Sequence, residues 1–278
     1  MEAVSGAAKA AQVKLLHGKK GLIMGVANDK SIAWGIAQAM AAHGAELAFT
    51  YQNEMLARRV QPLANSIGSA HLFECNVSDV TTLDACFEKI REEFGTVDFI
   101  VHSIAFSDKN ELRGRMVDTS LDNFLNSMNI SCYSFIAVAK RAEALMPNGG
   151  SLMTLTYYGS EKYVPNYNVM GVAKAALECS VRYIANDLGP RGIRVNAISA
   201  GPIKTLASSA IGGFRSILQI SERASPLRRN TSLEDVGGCA VYLASELACG
   251  TTGEIIMVDS GYHTLGMFAS EERTEESS

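Results

Sequence analysis

Seven short, mostly apolar runs, each bounded by turn residues, alternate along the chain with longer segments of helical periodicity. Runs that are apolar on both faces are typical of strands covered on both sides by crossover helices. This alternation predicts an α/β fold with a seven-stranded parallel sheet. The predicted strands are residues 21–26, 46–51, 70–74, 97–103, 151–157, 194–199 and 254–258.

The segments between the runs predict helices, with Ser31 and Asn53 as N-caps of the first two. Crossovers between parallel strands are right-handed, so successive helices should cover both faces of the sheet. We therefore expect a Rossmann-like doubly wound fold. The predicted helices are residues 31–43, 53–67, 80–94, 120–146, 167–188 and 233–243. The longest connection, residues 200–232, is of a length that usually serves function.

The length of 278 residues alone would allow two domains. No Pro-, Gly- or Ser-rich linker and no internal repeat divides the chain, so we predict a single domain over residues 18–268. Residues 1–17 are expected to form a disordered N-terminal extension, and residues 269–278 a disordered acidic tail.

Charge and cysteine usage exclude several classes of function. The net charge is −4, which does not suggest the basic face of a nucleic-acid-binding protein. No apolar run reaches the roughly 18 residues of a membrane span, and the first residues lack the apolar core of a secretory signal. Six scattered cysteines form no C-x-x-C pair, which predicts reduced thiols and no metal site. We expect a cytoplasmic protein.

The first strand is followed by a turn that suits a dinucleotide. In an open parallel sheet, ligands bind beyond the carboxyl ends of the strands. Gly25 allows a tight turn there, and the amides at Ser31 and Ile32 would offer hydrogen bonds to a pyrophosphate. The turn is not G-x-G-x-x-G, and a purely structural turn before a Ser-capped helix remains the alternative. At the end of the second strand stands Gln52, with neither an acidic residue nor a cation for a 2′-phosphate, which favours NADH.

Tyr167 and Lys174 lie seven residues apart, two helical turns, on one face of the helix that follows the fifth strand. An ammonium beside a phenol favours the phenolate and can also bind ribose hydroxyls. Such a pair is common on helices. Its position after a strand, in a chain with a nucleotide-type first turn, indicates an active site.

Four stretches together resemble the short-chain dehydrogenase/reductase superfamily and, within it, the bacterial NADH-dependent enoyl-(acyl carrier protein) reductases. They are G-x5-S-I-A-x-G at residues 25–35, Val-His-Ser-Ile-Ala-Phe at 101–106, the tyrosines 157 and 167 with Lys174, and Asn-Ala-Ile-Ser-Ala-Gly-Pro-Ile-Lys-Thr-Leu at 196–206. The likeness covers residues 18–268. Other superfamily members place a catalytic serine near Tyr157, and the longer tyrosine spacing is a mark of the enoyl reductases.

The resemblance implies reduction of the trans-2 double bond of enoyl thioesters on acyl carrier protein, the last step of the elongation cycle of bacterial type II fatty acid synthesis. It implies that Tyr167 stabilises the enolate, that Lys174 holds the nicotinamide ribose and that Tyr157 is a second active-site tyrosine. It also implies a homotetramer.

The same resemblance assigns binding residues. Cofactor contacts fall on Gly25, Ser31, Ile32, Gln52, Asn76, Val77, Ile104, Lys174, Ile203, Lys204, Thr205, Leu206 and Ala207. Substrate contacts fall on Ser107, Tyr157, Tyr167 and Phe214. One departure is Asn76, where the family usually has Asp, so the adenine edge would meet a different donor set.

Residues 205–224 resemble the family's substrate lid after strand six, with an apolar face for an acyl chain. Because acyl carrier protein is acidic, a local basic patch should receive it. The candidates are Lys204, Arg215, Arg228 and Arg229.

Two other functions fit the same sequence. The first is a short-chain carbonyl or alcohol dehydrogenase that uses Tyr167 and Lys174 on a ketone or alcohol. The second is a nucleotide-sensing protein that has lost turnover, since a fold does not fix a function. The complete set of Tyr157, Tyr167 and Lys174 argues against the second.

Overall fold

The seven predicted strands form one parallel sheet in the computed structural model, which describes residues 13–206, 208 and 211–267. The spatial order is β3-β2-β1-β4-β5-β6-β7, and every neighbouring pair is parallel. The strands are β1 (Lys20–Met24), β2 (Glu46–Tyr51), β3 (His71–Glu74), β4 (Phe99–His102), β5 (Gly150–Thr156), β6 (Ile193–Ala200) and β7 (Ile255–Val258). The predicted Rossmann-like fold is confirmed.

Strand order reverses between β1 and β4, which lie side by side although two other strands separate them in the chain. In doubly wound folds this switch point opens a crevice at the carboxyl ends of the strands, where ligands bind. The residues that follow β1, β4 and β5 therefore converge on one edge of the sheet.

Helices cover both faces of the sheet and enclose two hydrophobic cores, one centred on α3, α5 and α6 and the other on α1 and α8. Asn53 caps α2 as predicted, because its side chain accepts a hydrogen bond from the Leu56 amide at 3.1 Å. The helices are α1 (Ile32–Ala42), α2 (Glu54–Ser66), α3 (Val80–Glu93), α4 (Leu121–Met128), α5 (Ser134–Leu145), α6 (Asn168–Leu188), α7 (Phe214–Ala224) and α8 (Leu233–Ala244).

The predicted helix over residues 120–146 is confirmed over residues 121–145, but it is not α-helical throughout. A π-helical segment, Asn129–Tyr133, separates α4 from α5. At its end the Ser134 hydroxyl donates to the Ile130 carbonyl at 2.6 Å, which is the kind of side-chain bond that competes with regular helical bonding. Such π segments are frequent at functional sites, and this one packs against α6.

The domain begins before residue 18. Leu16 is fully buried in the core beneath α1, and its amide donates to the His43 carbonyl at 3.0 Å. The prediction that residues 13–17 belong to a disordered extension is therefore wrong, because one apolar side chain fastens this segment to the domain. Residues 1–12 and 268–278, with the remainder of the predicted extension and the acidic tail, lie outside the described residues.

Candidate active site

Tyr157 and Tyr167 meet at the carboxyl end of β5. Tyr157 is the first residue after the strand, and Tyr167 immediately precedes α6. Their rings lie 5.1 Å apart in an edge-to-face arrangement. A Cβ on Gly159 would come within 2.5 Å of the Tyr167 ring, so only glycine lets the connecting loop pack this closely on it. The structure thus brings together two of the three predicted catalytic residues directly.

Lys174 lies two turns along α6, as predicted, and its side chain is 6% exposed. Its Nζ donates to the Leu155 carbonyl of β5 at 2.7 Å. Burial lowers the pKa of Lys174 to about 8. The ammonium is thus held at the strand end that also carries Tyr157.

The expectation that Lys174 favours a phenolate at Tyr167 is wrong. Tyr167 is 7% exposed, and burial raises its pKa far above the ordinary tyrosine value, with further increments from Tyr157 and Glu178. Burial likewise raises the pKa of Tyr157 to about 12. Both phenols are therefore protonated at neutral pH and can donate hydrogen bonds.

His102, the last residue of β4, is fully buried, and burial lowers its pKa to about 3. Its ring nitrogens lie 3.1 Å from Thr154 Oγ1 and 2.8 Å from Ser134 Oγ. The neutral ring links β4 to β5 and to the start of α5. His102 is thus a hydrogen-bonding neighbour of the site.

The turn after β1 has a conformation and a close backbone contact that require glycine. Gly25 has φ +100°, and a Cβ there would lie 2.0 Å from the Ser103 carbonyl oxygen. Ser31 stands at the predicted N-cap position of α1, but its side chain makes no hydrogen bond to the amides of that helix. Its hydroxyl instead accepts hydrogen bonds from the amides of Ala27 and Asn28 at 3.0 and 3.1 Å. The amides at the start of α1, including that of Ile32, therefore have no side-chain cap and suit an anion.

The predicted adenosine contacts follow β2 and β3, which are neighbours in the sheet. Gln52 is exposed immediately after β2. Asn76 and Val77 follow β3, where the Asn76 Oδ1 accepts from the Ser78 amide at 3.2 Å. The nearby Arg58 pairs with Glu54 at 3.2 Å on α2.

Two predicted sites follow the next strands. Ile104, after β4, packs partly buried against a core. Ser107 exchanges hydrogen bonds with the buried Asn123 side chain at 3.2 to 3.3 Å. Both lie on the connection that follows β4 and leaves the switch point.

Residues Ile203, Lys204, Thr205 and Leu206 follow β6, while Ala207 lies outside the described residues. Thr205 and Ser208 form a tight turn, with the Thr205 amide 2.8 Å from the Ser208 hydroxyl. Phe214 is partly buried at the start of α7. Asn166 Nδ2 donates a hydrogen bond to the Gly212 carbonyl at 2.8 Å and so connects this region to the loop before α6. The sequence analysis did not predict this contact.

Asn166 itself adopts a left-handed backbone with φ +60°, a conformation that asparagine tolerates better than most residues. An asparagine directly before Tyr167 was the only signal for it in the sequence. A second missed residue is Glu178, which is 7% exposed on α6 and accepts a hydrogen bond from Thr156 Oγ1 at 2.5 Å. The only sign of Glu178 in the sequence was its position four residues after Lys174, which places both on one face of the helix.

The predicted basic patch is partly occupied by internal contacts. Arg229 forms a two-bond ion pair with Asp235, and Arg228 donates to the Arg223 carbonyl at 2.6 Å. Lys204 and Arg215 are exposed. The cationic surface near α7 therefore depends mainly on these last two.

A doubly wound sheet, an uncapped helix after a glycine turn, and a tyrosine–lysine helix beside the switch point define a nucleotide-dependent oxidoreductase of the short-chain dehydrogenase/reductase class. A model of the family "Enoyl-(Acyl carrier protein) reductase" matches residues 25–263. The chain belongs to this family.

Individual relatives agree. A Rhizobium meliloti protein named enoyl-[acyl-carrier-protein] reductase [NADH] 1 is 61% identical over 92% of this chain and 94% of its own length. A Rickettsia conorii protein named enoyl-[acyl-carrier-protein] reductase [NADH] FabI is 60% identical over 91% of this chain and 97% of its own length. A solved Anaplasma phagocytophilum reductase in complex with NAD superposes with a TM-score of 0.89 at 61% identity, covering 92% of this chain and 98% of that one.

Proposed function

We propose that this protein reduces the trans-2 double bond of enoyl thioesters carried on acyl carrier protein, with NADH as the reductant. The relatives that share about 60% of its residues carry this activity and cofactor in their names. The observation that carries the proposal is the Tyr157–Tyr167 pair, a partly buried and a buried protonated phenol in ring contact at the carboxyl end of β5. This reaction closes the elongation cycle of bacterial fatty acid synthesis.

The residues present fit NADH. The tight glycine turn at Gly25 and the start of α1, which has no side-chain cap, suit a pyrophosphate. The neutral Gln52 and the Glu54–Arg58 pair suit a ribose without a 2′-phosphate. When bound, NADH supplies the hydride that adds to C3 of the enoyl thioester. Asn76, Val77 and the residues of 203–207 would complete the cofactor's surroundings.

Tyr167 would donate a hydrogen bond to the thioester carbonyl oxygen. Negative charge develops on this oxygen as the double bond is reduced, and a fixed donor in a site shielded from water stabilises it strongly. The raised pKa of Tyr167 supports this role, because the phenol keeps its proton and remains a donor throughout the working pH range.

Lys174 would bind the ribose hydroxyls of the cofactor and so fix its position relative to the enoyl group. Its hydrogen bond to Leu155 holds the side chain at the end of β5 before any ligand arrives. Tyr157, in edge contact with Tyr167, would line the substrate side of the same space and restrict how the thioester approaches.

Residues 205–224 would act as the lid over the acyl chain. Ile211, Phe214, Ile217 and Leu218 are partly buried and give α7 and its approach an apolar face. Ser107 would border the acyl pocket from the other side. Closure would exclude water from the reacting carbons, and the exposed Lys204 and Arg215 would receive the acidic carrier protein.

We propose a homotetramer in the cytoplasm. Large apolar side chains stand exposed on α4, α5 and α6, including Leu125, Ile136 and Tyr183, the last 72% exposed, and burial in a second copy would remove them from water. In the described part of the chain, no helix is long and apolar enough to cross a membrane. Sedimentation that gives a monomer would contradict the tetramer.

Turnover with alternative substrates tests the proposed reaction. NADH oxidation is followed with a trans-2-enoyl thioester, and in parallel with NADPH and with a simple ketone. The proposal predicts rapid loss of NADH that depends on the enoyl thioester. Turnover of the ketone alone would instead identify a carbonyl dehydrogenase built on the same Tyr167 and Lys174.

A further inference from the structure

Glu178 is a buried carboxylate that the proposed reaction leaves without a role. It is 7% exposed on α6, and exposure this low is rare for a glutamate without a specific partner. Thr156 Oγ1, at the end of β5, donates to its Oε1 at 2.5 Å. The carboxylate is therefore fixed in place next to the residue that precedes Tyr157.

Glu178 follows Lys174 by four residues, so the two side chains lie on the same face of α6, one turn apart. Both are buried on that face. An ammonium and a carboxylate one helical turn apart in a poorly hydrated environment interact much more strongly than the same charges would in water. The hydrogen bond of Lys174 goes to Leu155, so Glu178 acts on it as a nearby charge.

We propose that Glu178 is a positioning residue of the active site, a buried counter-charge that keeps Lys174 protonated for cofactor binding and ties α6 to the end of β5. The proposal rests on the cofactor role given above to Lys174. Glu178 itself is not placed in contact with NADH or the substrate.

The electrostatic surroundings of Lys174 support this role. The titratable groups that face it in the described residues come from three elements: Glu178 on α6, Cys132 in the π-helical segment and His102 on β4. Burial keeps His102 neutral and raises the pKa of the Cys132 thiol. Glu178 is thus the one carboxylate among these groups. It raises the pKa of Lys174, opposing the lowering by burial that leaves it at about 8.

The affinity for NADH should decrease at alkaline pH, and it should do so at a lower pH without the Glu178 charge. NADH binds to the protonated Lys174, so its affinity should fall as the pH rises through the pKa of this lysine, about 8. Removal of the carboxylate charge lowers that pKa further. Since an opposite charge at short range shifts a pKa by about 1 to 3 units, the fall should begin about one pH unit lower or more in Glu178→Gln.

The experiment measures the dissociation constant of NADH against pH by fluorescence titration of the full-length protein. Glu178→Gln keeps an oxygen for the Thr156 hydroxyl and removes only the charge, whereas Thr156→Val removes the hydrogen bond and keeps the charge. Asp187→Asn, an exposed carboxylate on the same helix, is the matched control. We expect the alkaline fall in affinity to move in Glu178→Gln and to stay within about 0.3 units in both other variants.

If NADH affinity falls at the same pH in Glu178→Gln as in the wild-type protein, the proposal is overturned. If that variant does not fold, Glu178→Asp decides, since a withdrawn carboxylate should move the fall in the same direction by less, and no movement would again overturn it. The Lys174→Ala variant distinguishes the proposed cofactor role of Lys174 from the proposed role of Glu178. If Lys174→Ala binds NADH normally, the cofactor role of Lys174 and this inference both fail. If it binds weakly while Glu178→Gln keeps the wild-type pH profile, only the inference fails.

Discussion

Helices α6 and α7 flank the same crevice, yet the domain holds them very differently. Ten of the 21 residues of α6 are buried, among them Lys174 and Glu178, whereas Ser221 is the only buried residue of the 11 in α7. A helix with few buried side chains opens at low free-energy cost, and one packed throughout its length does not. Under the proposed function, the reacting groups would lie on or beside a firmly packed helix and the substrate lid on a loosely packed one.

The connections at the start of the two helices reinforce this difference. Tyr167 precedes α6 and is enclosed by Gly159, whose backbone can approach the ring only because it lacks a Cβ. Gly213 precedes α7 with φ +75°, and the neighbouring Gly212 is tied to the rest of the domain through Asn166. Changes near α6 should thus act on the chemical step, and changes near α7 on substrate binding.

The largest effect is expected for Tyr167→Phe. Loss of a hydrogen bond that forms to the developing enolate should raise the barrier by about 2.7 to 4 kcal/mol, roughly 10² to 10³ in kcat. The KM for NADH should change little, since the phenol meets the substrate. Steady-state kinetics with an enoyl thioester measure both. The matched control is Tyr163→Phe in the same loop, because Tyr163 is 85% exposed. An equal loss in the control, or none in Tyr167→Phe, would contradict the role of Tyr167.

The second-largest effect is expected at the turn after β1, where the pyrophosphate of NADH is proposed to bind. Gly25→Ala places a Cβ 2.0 Å from the Ser103 carbonyl at a φ of +100°, which should weaken NADH binding by about 1 to 3 kcal/mol through displacement of the turn. Calorimetric titration with NADH measures this. Gly238→Ala, in the middle of α8 with open space around it, should stabilise its helix by up to about 1 kcal/mol and leave binding unchanged. Normal NADH affinity in Gly25→Ala would remove the turn from the cofactor site.

The smallest effect is expected on the lid side. Asn166→Gly keeps the left-handed backbone accessible and removes the hydrogen bond to Gly212, a loss of about 0.5 to 1.5 kcal/mol. The KM for a long-chain enoyl thioester should rise about two- to tenfold, with kcat less affected. Kinetics with short and long acyl chains measure the split. A fall in kcat alone would mean that Asn166 serves Tyr167 rather than the lid.

The sequence was sufficient for most of the sheet and for the tyrosines and the lysine that the structure places at the end of β5. Buried parallel strands leave apolar runs such as β5 and β6, and the tyrosine–lysine spacing depends only on helical geometry. The resemblance to the enoyl reductases then gave Tyr157 a place that spacing alone could not.

Features that depend on three-dimensional surroundings were missed or misjudged. The protonation of Tyr167 is set by burial beneath a loop, which spacing from Lys174 does not reveal. At the π-helical segment, Ser134 donates to the Ile130 carbonyl and also contacts His102 of β4, a distant partner that the local sequence does not reveal. Leu16 lies in a short segment without the periodicity of a long helix or strand, and its burial shows up only in its contact with the domain.

The contrast between the two helices is tested most directly by hydrogen–deuterium exchange of the amides, with and without NADH and a non-reducible enoyl thioester analogue. The account predicts that residues 214–224 exchange rapidly in the free protein and become protected when both ligands are bound, while residues 168–188 are already protected in the free protein. Equal protection of both segments before ligands are added, or protection gained mainly in 168–188, would contradict it.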